Sequence, residues 1–82
     1  MSHALISQDQ FMTLLTKYVK ADEVRAQDVL FGSGLNISSI AFAEFIMDLE
    51  ESFDMDIDME QLDNSIVTAG QLHERIETAA TA

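Results

Sequence analysis

Two adjacent serines, Ser38 and Ser39, stand where a glycine-containing stretch meets a helix-forming run, in GSGLNISSIAFAEF (residues 32–45). Serine is a good first residue for a helix because its hydroxyl accepts a hydrogen bond from an unpaired backbone N–H. A helix N-terminus also offers free amides and a favourable dipole to anions. One hydroxyl of the pair could therefore cap the helix while the other carries a covalent phosphate-linked group.

Catalysis by these serines is poorly supported. The surrounding residues do not form the G-x-S-x-G turn that presents a catalytic serine, and 82 residues are too few for the sheet that holds such a turn. Gly32 and Gly34 around Ser33 make a lone GxG, which is more typical of a turn than of a phosphate cradle. Because no nucleophile, base and orienting group can be assembled, a small enzyme is the least supported hypothesis and a protein without a catalytic site is expected.

Metal binding is not expected either. Asp54, Asp56 and Asp58 match the first three ligand positions of an EF-hand loop. Met59, however, takes the place of the turn glycine, and Ser65 takes the place of the bidentate glutamate. The two histidines lie far apart in the sequence, and the absence of cysteine excludes zinc-thiolate sites.

The charge of the chain restricts its partners. Fifteen acidic residues against four basic ones give a formal charge of −11, which disfavours nucleic acid and favours partners with basic patches. Acidity alone can also serve solubility, so the acidic residues support a docking role only if they lie together on one helix face. With no cysteine, no membrane-length apolar run and no secretory signal, the sequence predicts a soluble, cytoplasmic protein, and its charge favours a monomer.

Hydrophobic periodicity predicts one all-α domain over residues 1–82, with three main helices and one short helix. The first should span about residues 8–20, the second should begin near Ser38 or Ser39, and the last should span about 69–78, followed by a fraying tail. The motif DMEQLD (58–63) predicts one or two helical turns. Two capping boxes, each a Ser or Thr three residues before a Gln, mark the first and last helices: Ser7 with Gln10, and Thr68 with Gln71.

Residues 22–36 have weaker periodicity and predict a long ordered loop, which is uncommon in a small domain and suggests function. The loop should be pinned by apolar anchors, namely Val24, Val29, Leu30, Phe31 and Leu35.

The second helix should be amphipathic. Its apolar residues recur at steps of three or four and predict a buried stripe of Phe42, Phe45, Ile46, Leu49 and Phe53. A second face should carry acids with apolar residues set among them, namely Ile40, Glu44, Met47, Asp48 and Glu51. This face is either a docking surface or an ordinary solvated helix face.

The stretch LNISSIAFAEFIMDLEESFDMDID (35–58) resembles the core of acyl carrier proteins, whose signature is a D-S-L triplet at a helix start followed by a pattern like LELVMALEEEFDxxI. Ser39 aligns with the serine that this family modifies. The resemblance implies a four-helix bundle that carries 4′-phosphopantetheine through a phosphodiester on Ser39. The thiol of that group would bear an acyl chain as a thioester, and the carrier itself would contribute no catalytic groups.

The resemblance also implies partners and a docking face. The expected partners are a phosphopantetheinyl transferase and acyl-transfer, synthase or ligase enzymes with basic patches, in fatty-acid, lipid or specialised-metabolite biosynthesis. The positions that match the family's contact residues are Ile40, Glu44, Met47, Glu50, Glu51 and Ile57.

Three departures from the family pattern indicate a specialised carrier. Ser38 replaces the usual aspartate, Asn36-Ile37 replaces a more typical Gly-Ala or Gly-Val pair, and Asp58 stands where many members have proline. The cargo could be acyl, hydroxyacyl or aminoacyl, as in a peptidyl-type carrier. Another hypothesis is an unmodified acidic adaptor that binds proteins through the same helix face.

The interior also allows two interpretations. In the family, part of the bundle opens to shelter the acyl chain, but Phe42, Phe45 and Phe53 could crowd that space. Crowding would favour short or exposed cargo.

Overall fold

Three α-helices and one short helix account for most of the regular structure. The computed structural model describes residues 6–19, 21–63 and 65–81, with only the backbone for residue 81. In chain order the elements are α1 (Gln8–Thr16), α2 (Ser39–Ser52), β1 (Asp56–Ile57), a 3₁₀ helix (Met59–Gln61), α3 (Ala69–Ala79) and β2 (Ala80–Thr81). The all-α prediction of three main helices and one short helix is confirmed.

Both predicted capping boxes form. The N–H of Gln10 donates to Ser7 Oγ at 3.1 Å, and the N–H of Gln71 donates to Thr68 Oγ1 at 3.2 Å. In each case the glutamine side chain also accepts from the backbone N–H of the capping residue. The helix starts are therefore encoded by four residues whose interactions are local.

Helix α1 is shorter than the periodicity predicts. It ends at Thr16, and the next N–H groups bond three residues back, from Lys17 to Leu14 O and from Tyr18 to Leu15 O. Bonds of this type tighten the last turn into a 3₁₀ turn. The apolar pattern therefore continues through Tyr18, although the α-helix ends two residues earlier. The end predicted at residue 20 lies outside the described residues.

The core is filled by side chains from all three α-helices and from the loop. Phe11 of α1 meets Phe45 of α2 edge to face, with ring centroids 5.2 Å apart. This geometry is preferred for aromatic pairs and adds to the burial of both rings. The side chains exposed by 1% or less are Ile6, Phe11, Leu15, Leu30, Phe45, Ile46, Leu49, Leu72 and Ile76, together with Ala69.

The segment after α3 forms a short strand, β2, and the fraying expected of the last residues stays a prediction. Ile57 pairs with Ala80, and Asp56 pairs with Thr81, in an antiparallel two-stranded ribbon. The N–H of Asp58 also donates to Ala79 O at 3.2 Å. Strands of two residues have no readable alternation, which explains why the sequence pattern does not reveal them.

The long loop is ordered, as predicted, because its backbone bonds to the start of α3. Gly70 N–H donates to Ala26 O at 2.8 Å, Ala69 N–H to Asp28 O at 2.9 Å, and Leu30 N–H to Val67 O at 2.9 Å. These bonds join residues about forty positions apart in the sequence.

Only some of the predicted anchors of the loop are buried. Val24 and Leu30 are 6% and 0% exposed, and Leu35 is half-buried. Val29 and Phe31, by contrast, are 40% and 43% exposed, so their assignment as buried anchors is wrong. The reason is that an antiparallel bridge between Val29 and Thr68 locally extends the chain, and alternate side chains then face opposite ways.

Gly34 should be the residue of this loop least tolerant of a side chain. A Cβ at this position would overlap the carbonyl oxygen of Val29, which also accepts a hydrogen bond from Leu35 N–H. We expect Gly34→Ala to lower the free energy of unfolding by about 1–3 kcal/mol, the usual cost of overpacking. Urea unfolding measures this loss. The exposed neighbour Ser33 provides the control, since Ser33→Ala should change stability by less than about 0.5 kcal/mol. Equal effects of the two substitutions would contradict the close packing of Gly34 against Val29.

Candidate functional site

The structure assigns different roles to the two adjacent serines. Ser38 is the N-cap of α2, with extended backbone angles (φ −78°, ψ 159°), and its Oγ accepts from Ala41 N–H at 3.0 Å. Ser39 is the first residue of the helix and is exposed. Its hydroxyl has no hydrogen-bond partner among the residues that the structure describes. Ser38 is therefore occupied by capping, whereas Ser39 presents a free hydroxyl.

The turn that positions this pair depends on Asn36 and Ile37. Asn36 has a φ of 54°, in the left-handed region that asparagine tolerates better than most non-glycine residues. Ile37 is 5% exposed, and its N–H donates to Leu30 O at 2.9 Å. Asn36 thus supplies the sharp turn for which glycine is the usual residue, and Ile37 anchors it to the core, which leaves the next two residues at the surface.

The electrostatics of the helix start suit an anionic ester. The first turn of α2 contains no acidic residue, although the chain carries fifteen of them. The first amides of any α-helix lack carbonyl partners within the helix, and the helix dipole is positive at that end. A phosphodiester on Ser39 would therefore meet the free amides and the positive end of the helix dipole, and no carboxylate from the first turn of α2 would repel it.

One face of α2 gathers four of the six predicted docking residues. Ile40 and Met47 are 75% and 57% exposed, and Glu44 and Glu51 are exposed beside them. At 100° per residue these four side chains fall within one narrow sector of the helix. We call Ile40, Glu44, Met47 and Glu51 the α2 outer face.

Asp48 leaves this face and bonds instead to Tyr18, in the turn after α1, and to its own helix. Tyr18 Oη donates to Asp48 Oδ2 at 2.7 Å, and Ser52 Oγ donates to Asp48 Oδ1 at 2.8 Å. The bond from Tyr18 lowers the pKa of the Asp48 carboxyl, and the same bond raises the pKa of the Tyr18 hydroxyl. The predicted placement of Asp48 in an exposed acidic stripe is therefore wrong, because its half-buried carboxylate joins α2 to the turn after α1.

Glu50 and Ile57 contact each other and lie apart from the α2 outer face. Ile57 N–H donates to Glu50 Oε2 at 3.1 Å, and Met55 N–H donates to Glu50 O at 3.1 Å. Ile57 is only 6% exposed. Their docking role stays a prediction, and the geometry gives both a structural role in joining α2 to β1.

A cleft beside Ser39 is a feature that the sequence pattern does not reveal. Phe42 lies one helical turn beyond Ser39, and its ring centroid is 5.9 Å from that of Phe31 in the loop. Phe31, Phe42, Leu62, Asp63 and Ile66 line a cleft of about 190 Å³, which we call the aromatic cleft. The only sequence signal was an aromatic residue in a loop, which equally fits a buried anchor.

Other site types find no support within residues 6–19, 21–63 and 65–81. No group of three or more His, Asp or Glu side chains there could hold a metal ion. No helix in the same ranges combines the length and the apolar character needed to cross a bilayer.

Comparison with known families identifies the family to which the domain belongs. The family model for the phosphopantetheine attachment site matches residues 9–76. The chain belongs to the phosphopantetheine-attachment family. This family is defined by covalently attached 4′-phosphopantetheine, so the resemblance to acyl carrier proteins and the predicted cofactor are confirmed. No curated protein and no solved structure matched the chain.

Membership of the phosphopantetheine-attachment family supports a general carrier role. Domains of this family are typically not catalytic themselves. They are modified by phosphopantetheinyl transferases and interact with synthase enzymes. The site that receives the group, the cargo and the partners of this particular chain are matters for proposal and test.

Glu50 and Glu51 are adjacent acids whose substitutions should have different effects. Glu50→Ala removes the acceptor for Ile57 N–H, and we expect it to lower the free energy of unfolding by about 1 kcal/mol. Glu51→Ala alters only the exposed outer face and should change stability by less than about 0.5 kcal/mol. Chemical denaturation of the two variants side by side measures the difference. A Glu50→Ala variant as stable as wild type would show that the Glu50 side chain does not join α2 to β1.

Proposed function

We propose that this protein is an acyl-type carrier in which Ser39 receives 4′-phosphopantetheine. The observation that carries the proposal is the free, exposed hydroxyl of Ser39 at the start of α2, inside the region that matches the family. When attached, the group supplies a thiol that holds cargo as a thioester. The match to residues 9–76 of 82 supports treating residues 1–82 as a single carrier domain.

The residues around Ser39 define what the chain itself contributes. Ser39 Oγ attacks the phosphorus of the coenzyme A pyrophosphate next to pantetheine, and an O–P bond forms while adenosine 3′,5′-bisphosphate leaves. The Oγ proton passes to the transferase or to solvent. Ser38 keeps the helix start intact through its bond to Ala41 N–H, so the side chain of Ser39 stays at the surface before and after modification.

The α2 outer face is suited to transient partners with basic patches. Glu44 and Glu51 supply negative charge at the surface, while Ile40 and Met47 alternate with them along the helix and supply apolar contact. Exposed charges mainly set the association rate and its salt dependence, whereas a small apolar contact leaves dissociation fast. A carrier that visits several enzymes, in fatty-acid, lipid or specialised-metabolite biosynthesis, needs both properties.

The attachment site is tested by intact mass after incubation with coenzyme A and a broad-specificity phosphopantetheinyl transferase. We expect wild type and Ser38→Ala to gain one phosphopantetheine, and Ser39→Ala to gain none. Ser38→Ala should also lose about 1 kcal/mol of stability because the cap of α2 is removed.

The alternative outcomes are distinct. Modification of Ser39→Ala would place the group elsewhere and overturn the assignment. No addition to wild type, with a known carrier domain modified in parallel, would favour an unmodified acidic adaptor that uses the same α2 outer face for binding.

The α2 outer face is tested by the rate of modification of Ser39. We expect Glu44→Gln combined with Glu51→Gln to lower kcat/KM for the transferase several-fold at low salt, and the deficit to shrink at high salt as screening increases. Glu23→Gln combined with Glu74→Gln is the matched control, because these exposed acids lie outside the α2 outer face and the net charge changes equally. Equal losses in the two double variants would indicate an effect of net charge alone and contradict a defined docking face.

A further inference from the structure

The four methionines among the described residues divide into two shielded and two exposed side chains. Met12 and Met55 belong to the hydrophobic core and are 7% and 4% exposed, whereas Met47 of α2 and Met59 of the 3₁₀ helix are 57% and 50% exposed. Hydrogen peroxide is uncharged, so the negative charge of the chain does not repel it as it would repel an anion. A peroxide in solution therefore reaches the sulfurs of Met47 and Met59 before those of the core.

Met47 differs from Met59 in its surroundings. It is one of the two apolar side chains of the α2 outer face, and Ile40 is the other. Met47 follows Glu44 by three residues and precedes Glu51 by four, so it neighbours both carboxylates on the helix surface. A change in the polarity of Met47 would therefore alter half of the apolar side chains with which this face meets a partner.

We propose that Met47 is a reversible oxidation site, and that its conversion to the sulfoxide by peroxides weakens the binding of partner enzymes to the α2 outer face. The proposal rests on the proposed carrier function and adds a means of regulating its docking surface. Met59 is oxidised as well, but it lies outside this face and its oxidation does not affect docking.

The reaction needs no catalytic group from the protein. The sulfur of Met47 attacks one oxygen of hydrogen peroxide with a lone pair, so an S–O bond forms and the O–O bond breaks. The proton on the transferred oxygen passes to the departing hydroxide, which leaves as water. The sulfur is oxidised by two electrons and the peroxide is reduced by two. Methionine sulfoxide reductases reverse the change.

The sulfoxide should alter docking without altering the fold. Met47 is neither a member of the hydrophobic core nor one of the partly buried residues packed against it. In the free carrier the new oxygen therefore stays in water. When a partner covers the α2 outer face, the same oxygen has to lose its water at a place where an apolar side chain made contact before. Partner binding is weakened, while the stability of the free protein is retained.

The first measurement locates the oxidation. The protein is treated with hydrogen peroxide under native conditions, and peptide mapping by mass spectrometry follows the addition of oxygen at each methionine. We expect Met47 and Met59 to react many-fold faster than Met12 and Met55. Urea unfolding of the oxidised protein should match that of the untreated protein. Oxidation of Met47 as slow as that of Met12, or a large loss of stability, would overturn the proposal.

The second measurement is kcat/KM for modification of Ser39 by the transferase, after removal of the peroxide. We expect peroxide treatment to lower this value several-fold in wild type and in Met59→Leu, but not in Met47→Leu, because leucine has a similar size and cannot be oxidised. Met47→Gln should reproduce the loss without peroxide, and a methionine sulfoxide reductase should restore oxidised wild type. Met1, which lies outside the described residues, is common to all variants.

The outcomes separate this proposal from the carrier function. An untreated wild type that is never modified would overturn the carrier function, and the proposal with it. An untreated wild type that is modified at Ser39, and equally fast after oxidation of Met47, would overturn the oxidation site alone. So would an equal loss in Met47→Leu, a full rate in Met47→Gln, or a failure of the reductase to restore the rate.

Discussion

The position of Ser39 depends on the backbone of Leu30. Its N–H donates to Val67 O, which fixes the loop to the segment before α3, and its carbonyl accepts from Ile37 N–H, which fixes the turn into α2. The side chain of Leu30 is fully buried, so neither bond can exchange readily with water. A single residue thus connects the loop, the start of α3 and the start of α2.

Helix α2 combines several functions by dividing them around its circumference. The side with Phe45 and Leu49 fills the core, and the opposite side forms the α2 outer face. Between these two sides, Asp48 bonds to Tyr18 of the α1 region and Glu50 bonds to the backbone of β1. Two acids that contribute to the charge of the helix are thus used for its attachment to neighbours. The α2 outer face, which we propose for docking, is consequently narrower than the number of acids in α2 suggests.

Features encoded by neighbouring residues could be predicted from the sequence. The capping boxes at Ser7 and Thr68, the start of α2 at the serine pair and the exposed positions of Ile40 and Met47 all follow from spacings of three or four residues. The family resemblance added the cofactor, which no spacing rule would have supplied.

Features that depend on distant pairs could not be predicted in this way. The bond from Tyr18 to Asp48 spans 30 positions, and the ribbon that includes Ile57 and Ala80 depends on the return of the chain after α3. Phe31 has the same apolar character as a buried anchor, and only the approach of Phe42 shows that it lines a cleft. Local pattern gives the helices and their faces, while the partners of each side chain depend on how the helices pack.

The three α-helices share a property that follows from their capping residues. Ser7, Ser38 and Thr68 cap them with hydroxyls, and both capping boxes use glutamine instead of glutamate. An aspartate cap gains a proton at about pH 4 and then weakens as an acceptor, whereas a hydroxyl does not titrate in this range. The caps of the three α-helices therefore do not change with acid pH, although most of the charged groups of the chain do. Neutralising the carboxylates would remove electrostatic repulsion and most of the surface charge, while the capping bonds that begin the three α-helices would remain in place.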